Sequence, residues 1–243
     1  MALLGTLEDG GELGTNELAR RSGLNPSTVS RLLATLAAAG LVERVAESGR
    51  YRLGLRLVQL GNVVLGRLDL RETARPRLQR LSETTGETTT LSVPARPDAV
   101  TIDFVQSPAS VQSVAHVGRP SVAHATAAGK VMLAFGPDEP PRGPLTRYTR
   151  RTITDPRALA REIARVRAQG WAGARGEREA DLNALAAPVF GSRGELAAIV
   201  GVQGPASRFG AGAMGRALDP LLDTAAAVSH ALGWRPTDEE EVA

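Results

Sequence analysis

Apolar and polar residues near the start of the chain alternate in the way expected for two short helices and a β-hairpin. Thr15 is a suitable N-cap for a helix that ends near Gly23, since glycine readily takes the left-handed conformation found after a helix. Asn25-Pro26 then predicts the N-cap and first turn of a second helix, which Gly40 ends. This helix carries apolar residues at the i, i+3, i+4, i+7 spacing of a buried face, namely Val29, Leu32, Leu33 and Leu36. The following LVERVAESGRYRLG predicts two strands joined by a polar turn.

The spacing within this segment is specific for a helix-turn-helix. A small residue, Ala19, stands where two helices would cross closely, and Gly23 follows four residues later in the turn. Val29 and Leu32 stand where the second helix must bury its face against the first. The hairpin that follows indicates the winged variant. The alternative is a helical hairpin with a solvated arginine face.

The same periodicity predicts which residues are free to contact DNA. Recognition helices read the major groove mostly with their N-terminal residues. With the apolar stripe inward, five polar residues of the second helix face outward: Ser27, Thr28, Ser30, Arg31 and Thr35. Arg50 and Arg52 alternate on the second strand of the hairpin, so we expect them to share one face and to reach a DNA backbone or the minor groove.

The rest of the chain predicts a second, mixed domain. Residues 55–72 predict a linker helix, and Pro76 predicts a break before a further helix over residues 75–85. Residues 87–120 are rich in Val, Thr and Ile and predict three strands. HATAAGKVMLAF (residues 124–135) and residues 155–169 predict helices, and residues 183–204 predict two strands around a Ser-Arg-Gly turn. A last helix is expected over residues 213–232.

Composition and charge narrow the class of protein. The 243 residues suit one or two domains, and they include no cysteine, which excludes disulfides, thiolate nucleophiles and zinc fingers. No apolar run is long enough to cross a membrane, and the N-terminus makes a poor signal peptide, so we expect a cytoplasmic protein without membrane contact. The net charge is only +3, but seven arginines and two glutamates between residues 20 and 56 give a local charge of +5. Such a patch favours a polyanionic partner.

Motifs that resemble catalytic or cofactor sites fail on their spacing. Lys130 is the only lysine, but its Gly-Lys pair lacks the upstream glycine and the downstream Ser or Thr of a phosphate-binding loop. GAGAMG (residues 210–215) matches a dinucleotide fingerprint but does not directly follow a strand. No G-x-S-x-G is present. We therefore expect no catalytic residue and no cofactor.

The histidines leave one alternative open. His116 and His124 lie eight residues apart without an acid at helical spacing, so a metal site would need ligands from distant segments. A metal in the C-terminal domain nevertheless stays open as an alternative, although no metal ligand is assigned. For His124 we expect a structural hydrogen bond at the start of its helix.

The sequence resembles the IclR family of bacterial transcriptional regulators along nearly its whole length. SGLNPSTVSRLLATLAAAGLVER resembles the recognition segment of that family, and HATAAGKVMLAF, YTRRTITD, RVRAQGWA, NALAAPVF and GVQGPASRF resemble successive blocks of its effector domain. The resemblance implies an α+β fold, with an N-terminal winged helix-turn-helix, a linker helix and a GAF-like α/β effector-binding domain whose sheet is mainly antiparallel. The corresponding boundaries here are residues 1–56 for the DNA-binding domain, 57–74 for the linker helix, 75–236 for the effector-binding and oligomerisation domain, and 237–243 for an acidic tail.

The resemblance also implies an effector pocket with three walls. They are the start of the HATAAGK helix at Ala127, Ala128 and Gly129, the strand entry at Asn183 and Ala184, and the strand that carries Gly201 and Gln203. Where some members have Ser or Cys, this chain has Ala184, Gly201 and Gln203, which favours a larger or aromatic ligand over a small polar acid held by hydroxyls. The backbone N–H groups of residues 127–129 suit an anionic group on that ligand, with Lys130 beside the pocket.

The resemblance implies a transcriptional regulator that binds a palindromic operator in double-stranded DNA, and repression is favoured over activation. A small organic acid or aromatic catabolite would control its affinity, and dimers, often paired into tetramers, are typical of the family. Two other functions stay open at this point. One is a helix-turn-helix fused to a small-molecule enzyme, and the other is a ligand-independent DNA-architectural protein.

Overall fold

The computed structural model describes residues 2–60, 70–110, 115–137, 139–141 and 143–235, the side chains of residues 9 and 10 excepted. The chain divides into two compact units, residues 1–69 and residues 70–243. Residues 61–69 of the predicted linker helix and the predicted acidic tail lie outside the described residues. Residues 57–60 and 70–74, on either side of that gap, are helical.

The first unit consists of three helices and a two-stranded antiparallel sheet. The elements are α1 (Ala2–Gly10), α2 (Thr15–Ser22), α3 (Pro26–Ala38), β1 (Val42–Arg44) and β2 (Tyr51–Leu53). Its core is formed by apolar residues of every helix and of β1, with Leu3, Leu7, Leu18, Val29, Leu33 and Val42 at most 2 % exposed. The winged helix-turn-helix architecture expected from the sequence is confirmed.

The capping residues explain the helix ends, with one correction. Gly23 has a φ of 69° and closes α2 through its N–H to the Ala19 carbonyl, as predicted. Asn25 is the N-cap of α3, where its side chain accepts a hydrogen bond from the Ser27 N–H at 2.9 Å. Thr15 is the first residue of α2, and the N-cap is Gly14, which has no side chain to form a cap. The predicted start was therefore one residue too late.

A second correction concerns Leu32, which we expected to be inward. Val29 and Leu33 are fully buried, but Leu32 is 38 % exposed. An ideal helix turns by about 100° per residue, which places Leu32 about 60° to one side of Val29 while Leu33 lies about 40° to the other side. The contact with α2 covers the Leu33 side, so Leu32 lies at the edge of the buried stripe.

The second unit is built on a six-stranded antiparallel sheet with the order β5-β4-β3-β8-β7-β6. The strands are β3 (Thr88–Ala95), β4 (Asp98–Val105), β5 (Pro120–Ser121), β6 (Ala172–Arg175), β7 (Leu182–Phe190) and β8 (Leu196–Pro205). The helices are α4 (Leu70–Thr85), α5 (Ala127–Phe135), α6 (Pro156–Gln169) and α7 (Ala211–Ala231). With the first unit, this gives the α+β class expected from the sequence.

The two faces of this sheet carry different helices. On one face α4 and α7 pack together, and the Thr89 hydroxyl of β3 donates to the Leu78 carbonyl of α4 at 3.0 Å. On the other face α5 and α6 pack over β6, β7 and β8 in a core that includes Val131, Ile163 and Ala186. Strand neighbours alternate between the faces, so Thr90 and Gly201 point to the α5 side.

Three predictions for the second unit need correction. The predicted break at Pro76 is wrong, because α4 runs through it. Packing of Ala74 and Leu78, which are buried on either side, offsets the lost hydrogen bond and the steric clash of the proline ring. Of the three strands expected between residues 87 and 120, two are long and the third, β5, has two residues. Strand β6 was not predicted, because its four residues offer no β-branched or aromatic side chain and it is defined by its pairing with β7.

Candidate DNA-binding face and effector cavity

The first turn of α3 is rigidly formed and presents polar side chains outward. Asn25 Oδ1 accepts from both the Ser27 N–H at 2.9 Å and the Ser27 hydroxyl at 2.8 Å. Of the residues predicted to contact DNA, Ser27, Ser30, Arg31 and Thr35 are exposed and Thr28 is half-buried. The Thr35 hydroxyl bonds back to the Arg31 carbonyl at 3.1 Å. Arg31 makes no ion pair within the described part of the chain, so its charge is available to a partner.

The wing arginines share one face, as the alternation predicted, but they are not free. Arg52 Nε lies 2.6 Å from Glu43 Oε1, and its Nη1 lies 3.5 Å from Glu12 Oε1. The Arg50 guanidinium donates to the Glu12 carbonyl at 3.4 Å. The hydrogen bond and charge of Glu43 raise the pKa of Arg52 above its usual value. Exposed pairs of this kind are weak, so a DNA phosphate can replace the carboxylate.

A further acidic residue moderates the basic patch. Glu17 accepts hydrogen bonds from Arg20 at 2.7 Å and from Arg21 at 2.5 Å, and these bonds lower its pKa to about 2. The local charge count from residue 20 onward left out Glu17 and Glu12, which lie just before it. The i+3 and i+4 spacing of Glu17 to the two arginines could have shown this pairing in the sequence.

The second unit contains a cavity between the sheet, the N-terminal end of α5 and the segment that precedes β7. Five of the seven residues predicted for the effector site line it: Ala127, Ala128, Ala184, Gly201 and Gln203. Other apolar walls come from Ala115, Ala125, Ala174, Leu182, Ala186 and Val202, and hydroxyl groups from Thr90, Thr101, Ser121 and Thr126. A cavity with mainly apolar walls and a few polar groups is typical of small-molecule sites.

Gly129 and Asn183, the other two predicted residues, do not line this cavity. A Cβ on Gly129 would lie 2.4 Å from the Val122 carbonyl oxygen, so glycine is needed there for close packing. Its N–H donates to the N-cap hydroxyl of Thr126 at 3.0 Å and is therefore not free for a ligand. The amide of Asn183 donates to the Phe209 carbonyl at 2.9 Å and is buried. Of the three predicted residues at the start of α5, only Ala127 and Ala128 line the cavity, and the first N–H groups of a helix have no partner within the helix.

Lys130 lies behind the cavity wall and takes part in a buried ion-pair cluster that the sequence did not reveal. The side chain is 1 % exposed, and its Nζ lies 2.7 Å from Glu177 Oε1, 3.2 Å from Glu162 Oε1 and 3.0 Å from the Gly173 carbonyl. Glu177 in turn lines the cavity. Burial raises the pKa of Glu177 against the opposing effect of Lys130, whereas for Glu162 the nearby Lys130 and Arg165 outweigh burial and lower the pKa. Lys130 therefore neutralises a cavity residue from behind.

Cationic side chains lie at the cavity beside β5 and were also missed. Arg119 pairs with Glu179, and Arg178 donates a hydrogen bond to the Pro120 carbonyl. His116 also lines this part of the cavity. Burial and the neighbouring charge of Arg119 lower the pKa of Arg178. Sequence spacing could not have found this group, since its members come from two segments about sixty residues apart.

The remaining candidate residues have structural explanations. His124 is buried and its Nε2 bonds the Thr146 carbonyl at 2.9 Å, the structural hydrogen bond that we expected. GAGAMG opens α7, and the antiparallel sheet offers no βαβ unit for a dinucleotide. Among the described residues, no group of three or more His, Cys, Asp or Glu is placed to hold a metal, and no helix is long and apolar enough to cross a bilayer.

Comparison with known proteins agrees with this geometry. Residues 62–230 match the family described as "Bacterial transcriptional regulator IclR C-terminal", and residues 1–46 match the "IclR helix-turn-helix domain". The chain belongs to the IclR family. As a member of that family it is a DNA-binding transcriptional regulator and not an enzyme.

Individual relatives support this assignment over almost the full length. The HTH-type transcriptional regulator BhcR of Paracoccus denitrificans is 32 % identical over 228 residues, which cover 92 % of this chain and 82 % of the relative. The crystal structure of a putative IclR regulator from Silicibacter superposes with a TM-score of 0.86 at 30 % identity and covers 98 % of both chains. An IclR homologue from Microbacterium hydrocarbonoxydans, solved in complex with 4-hydroxybenzoate, gives a TM-score of 0.77 at 27 % identity and covers 95 % of this chain and 96 % of its own.

Proposed function

We propose that this IclR-family regulator binds a palindromic operator as a homodimer or a pair of dimers, and that a small organic acid or aromatic catabolite in the second unit controls its operator affinity. Repression fits better than activation, and the site of action is the cytoplasm. The observation that carries the proposal is the cavity, since five residues expected from the family resemblance converge on it. A relative solved with 4-hydroxybenzoate supports an aromatic acid as one ligand class.

The first unit supplies the DNA contacts in this proposal. The exposed turn of α3 would enter the major groove with Ser27, Thr28, Ser30 and Arg31, while Thr35 lies further along the same face. Arg50 and Arg52 would exchange Glu12 and Glu43 for backbone phosphates. Dimerisation through the linker helix, residues 57–74, would set the spacing of two recognition helices.

A physical route for the ligand response exists within the second unit. On β4, Thr101 lines the cavity, and Asp103 is the buried ion-pair partner of α4, 2.6 Å from Arg75 and 3.7 Å from Arg71. A ligand that shifts Thr101 would therefore act two residues from the contact that holds the start of α4. Since α4 follows the predicted linker in the chain, differential binding to two positions of this helix would shift the population of DNA-binding dimers.

The test is a titration of the full chain with fluorescently labelled DNA from either side of its own gene, followed by fluorescence anisotropy. We expect binding that weakens steeply with salt, because phosphate contacts release counterions. Carboxylates and aromatic acids are then added to the complex. If no metabolite changes either operator affinity or thermal stability, the ligand-independent architectural protein is favoured instead.

A further inference from the structure

The charged groups around the cavity pair off with one exception. Glu177 is matched by Lys130 at 2.7 Å, and Glu179 is matched by Arg119. Arg178 makes no ion pair with a carboxylate in the described part of the chain. Its guanidinium donates to the Pro120 carbonyl, a neutral acceptor. One positive charge in the cavity lining is therefore left without a matching negative charge.

The surroundings of Arg178 make this imbalance costly. The side chain is half-buried, so water solvates its guanidinium incompletely, and Arg119 adds repulsion. Glu179 and Asp98 act on it only through longer-range attraction, since neither is close enough for an ion pair. A charge removed from water needs a partner, and Arg178 lines the cavity. An anion bound there would meet this need, and a guanidinium holds a carboxylate through two parallel hydrogen bonds.

The rest of the lining limits the ligand to a single negative charge. Ala127 and Ala128, the first two residues of α5, line the same cavity, and the N-terminal end of a helix favours a negative group. The remaining walls are mostly alanine, with Leu182, and suit an apolar body. A second carboxylate on the ligand would approach Glu177, which contacts Lys130 only through Oε1 and has no hydrogen-bond partner for its buried Oε2, so the two carboxylates would repel each other.

We infer that Arg178 is the residue that determines effector specificity, by binding the carboxylate of a compact, monoanionic, otherwise apolar acid. The inference rests on the proposed function, in that the cavity is taken as the effector site. It goes further by assigning the charged recognition to a residue outside the three walls expected from the sequence. The inference also predicts that the cavity binds monocarboxylates more tightly than neutral aromatic compounds or dicarboxylates.

The experiment uses thermal shift on the full chain with two matched pairs of probes, benzoate with benzamide and butanoate with butanamide. Within each pair, the amide has nearly the same shape as the carboxylate but carries no charge. Arg178→Gln keeps a donor for the Pro120 carbonyl and loses the cation, while Arg178→Lys keeps the cation. Arg175→Gln is the control, because Arg175 is exposed and lies three residues earlier without lining the cavity.

We expect at least one carboxylate to stabilise the wild type while its amide does not. Arg178→Gln should weaken the binding of that carboxylate by at least about thirtyfold, since a desolvated charge pair is lost. Arg178→Lys should retain part of the binding and Arg175→Gln all of it. The inference is overturned if Arg178→Gln binds the carboxylates as the wild type does, if the amides bind equally well, or if no carboxylate stabilises the wild type.

Operator titration with and without the two carboxylates separates this inference from the proposed function. If a carboxylate changes the operator affinity of the wild type, and Arg178→Gln binds operator normally but no longer responds to that carboxylate, both stand. If the wild type binds carboxylates through Arg178 but neither carboxylate changes operator affinity, ligand control of DNA binding fails while the role of Arg178 stands. If DNA binding responds to butanoate or benzoate equally in wild type and Arg178→Gln, the function stands and the inference fails.

Discussion

The helices α3 and α5 each carry a single charged residue, and the two residues are used in opposite ways. In α3, Arg31 is exposed and makes no ion pair within the described residues. In α5, Lys130 is 1 % exposed and contacts two carboxylates and a carbonyl. The first cation is available for an outside partner, whereas the second is fully occupied inside the fold.

The burial of the two helices follows the same division. Of thirteen residues in α3, two are buried, so most of its surface is open to a partner. Of nine residues in α5, seven are buried, so only its N-terminal end can meet a ligand. A helix that binds a macromolecule presents a face, while a helix that binds a small molecule inside a domain presents its first turn. The predictions below test this contrast.

The largest effect is expected from Lys130→Met. The change removes the cation that pairs with Glu177 and one of the two cations that pair with Glu162, and it should lower the free energy of unfolding by about 3–5 kcal/mol. Arg165→Met is the control, because it removes an exposed partner of the same Glu162 and should cost less than about 1 kcal/mol. Urea unfolding followed by tryptophan fluorescence measures this, since both tryptophans, Trp171 and Trp234, lie in the second unit.

The loss of stability in Lys130→Met should also depend on pH, and the direction of this dependence can be predicted. Burial already raises the pKa of Glu177, and loss of the ammonium group raises it further in the folded state. A carboxyl whose folded pKa lies above its unfolded value costs stability as the pH rises through the folded pKa. The deficit of Lys130→Met should therefore be larger at pH 8 than at pH 5. Equal deficits at both pH values would mean that Glu177 does not depend on Lys130.

The next effect is expected from Ala128→Trp at the open end of α5. An indole at this lining position would occupy the cavity and should weaken carboxylate binding by at least about a hundredfold, since ligand and side chain cannot share the volume. Ala164→Trp, on an exposed position of α6, should leave binding unchanged. Thermal shift with the best carboxylate measures both. A full ligand response in Ala128→Trp would place the effector site elsewhere.

For α3, Arg31→Ala should weaken operator binding by about 1–3 kcal/mol and leave ligand binding intact. Its salt dependence gives the kind of contact. If Arg31 contacts a phosphate, the slope of log K against log salt falls by about one, and if it contacts a base, sequence discrimination falls instead. Arg20→Ala, an exposed arginine already paired with Glu17, is the matched control. An operator affinity that Arg31→Ala does not change would refute the predicted DNA-binding face of α3.

The contrast between the helices also explains how far the sequence could be interpreted. Helix α3 lies on a surface, so one face is apolar and the other polar, and its caps and most of its buried stripe could be predicted. Only Leu32, at the edge of the stripe, was misplaced. Helix α5 is buried nearly all round, and a helix without a polar face gives no periodic signal for which side meets a pocket.

The missed site residues were missed for a related reason. Glu162 and Glu177 reach Lys130 from 32 and 47 residues away, and no local spacing encodes that contact. Arg119 and Arg178 likewise meet only because β5 and the segment before β7 converge. Family resemblance located the cavity through Ala127, Ala128, Ala184, Gly201 and Gln203, but it included Gly129 and Asn183, whose roles are packing and a structural hydrogen bond.

The smallest effects are expected at the two N-caps, where the comparison becomes most direct. Asn25→Ala and Thr126→Ala each remove a side-chain acceptor for a helix N–H and should cost about 0.5–2 kcal/mol. Circular dichroism reports the unfolding of both units, whereas tryptophan fluorescence reports only that of the second unit. Asn25→Ala should therefore shift the thermal transition seen by circular dichroism alone. Thr126→Ala should shift the transition seen by both methods. Asn25→Gly should cost only a few tenths of a kcal/mol, because glycine leaves the first N–H groups open to water. Since Thr126 also lines the cavity, Thr126→Ala should weaken carboxylate binding. Asn25→Ala should weaken only operator binding. A loss of carboxylate binding in Asn25→Ala would show that the two helices do not act as independently as their burial implies.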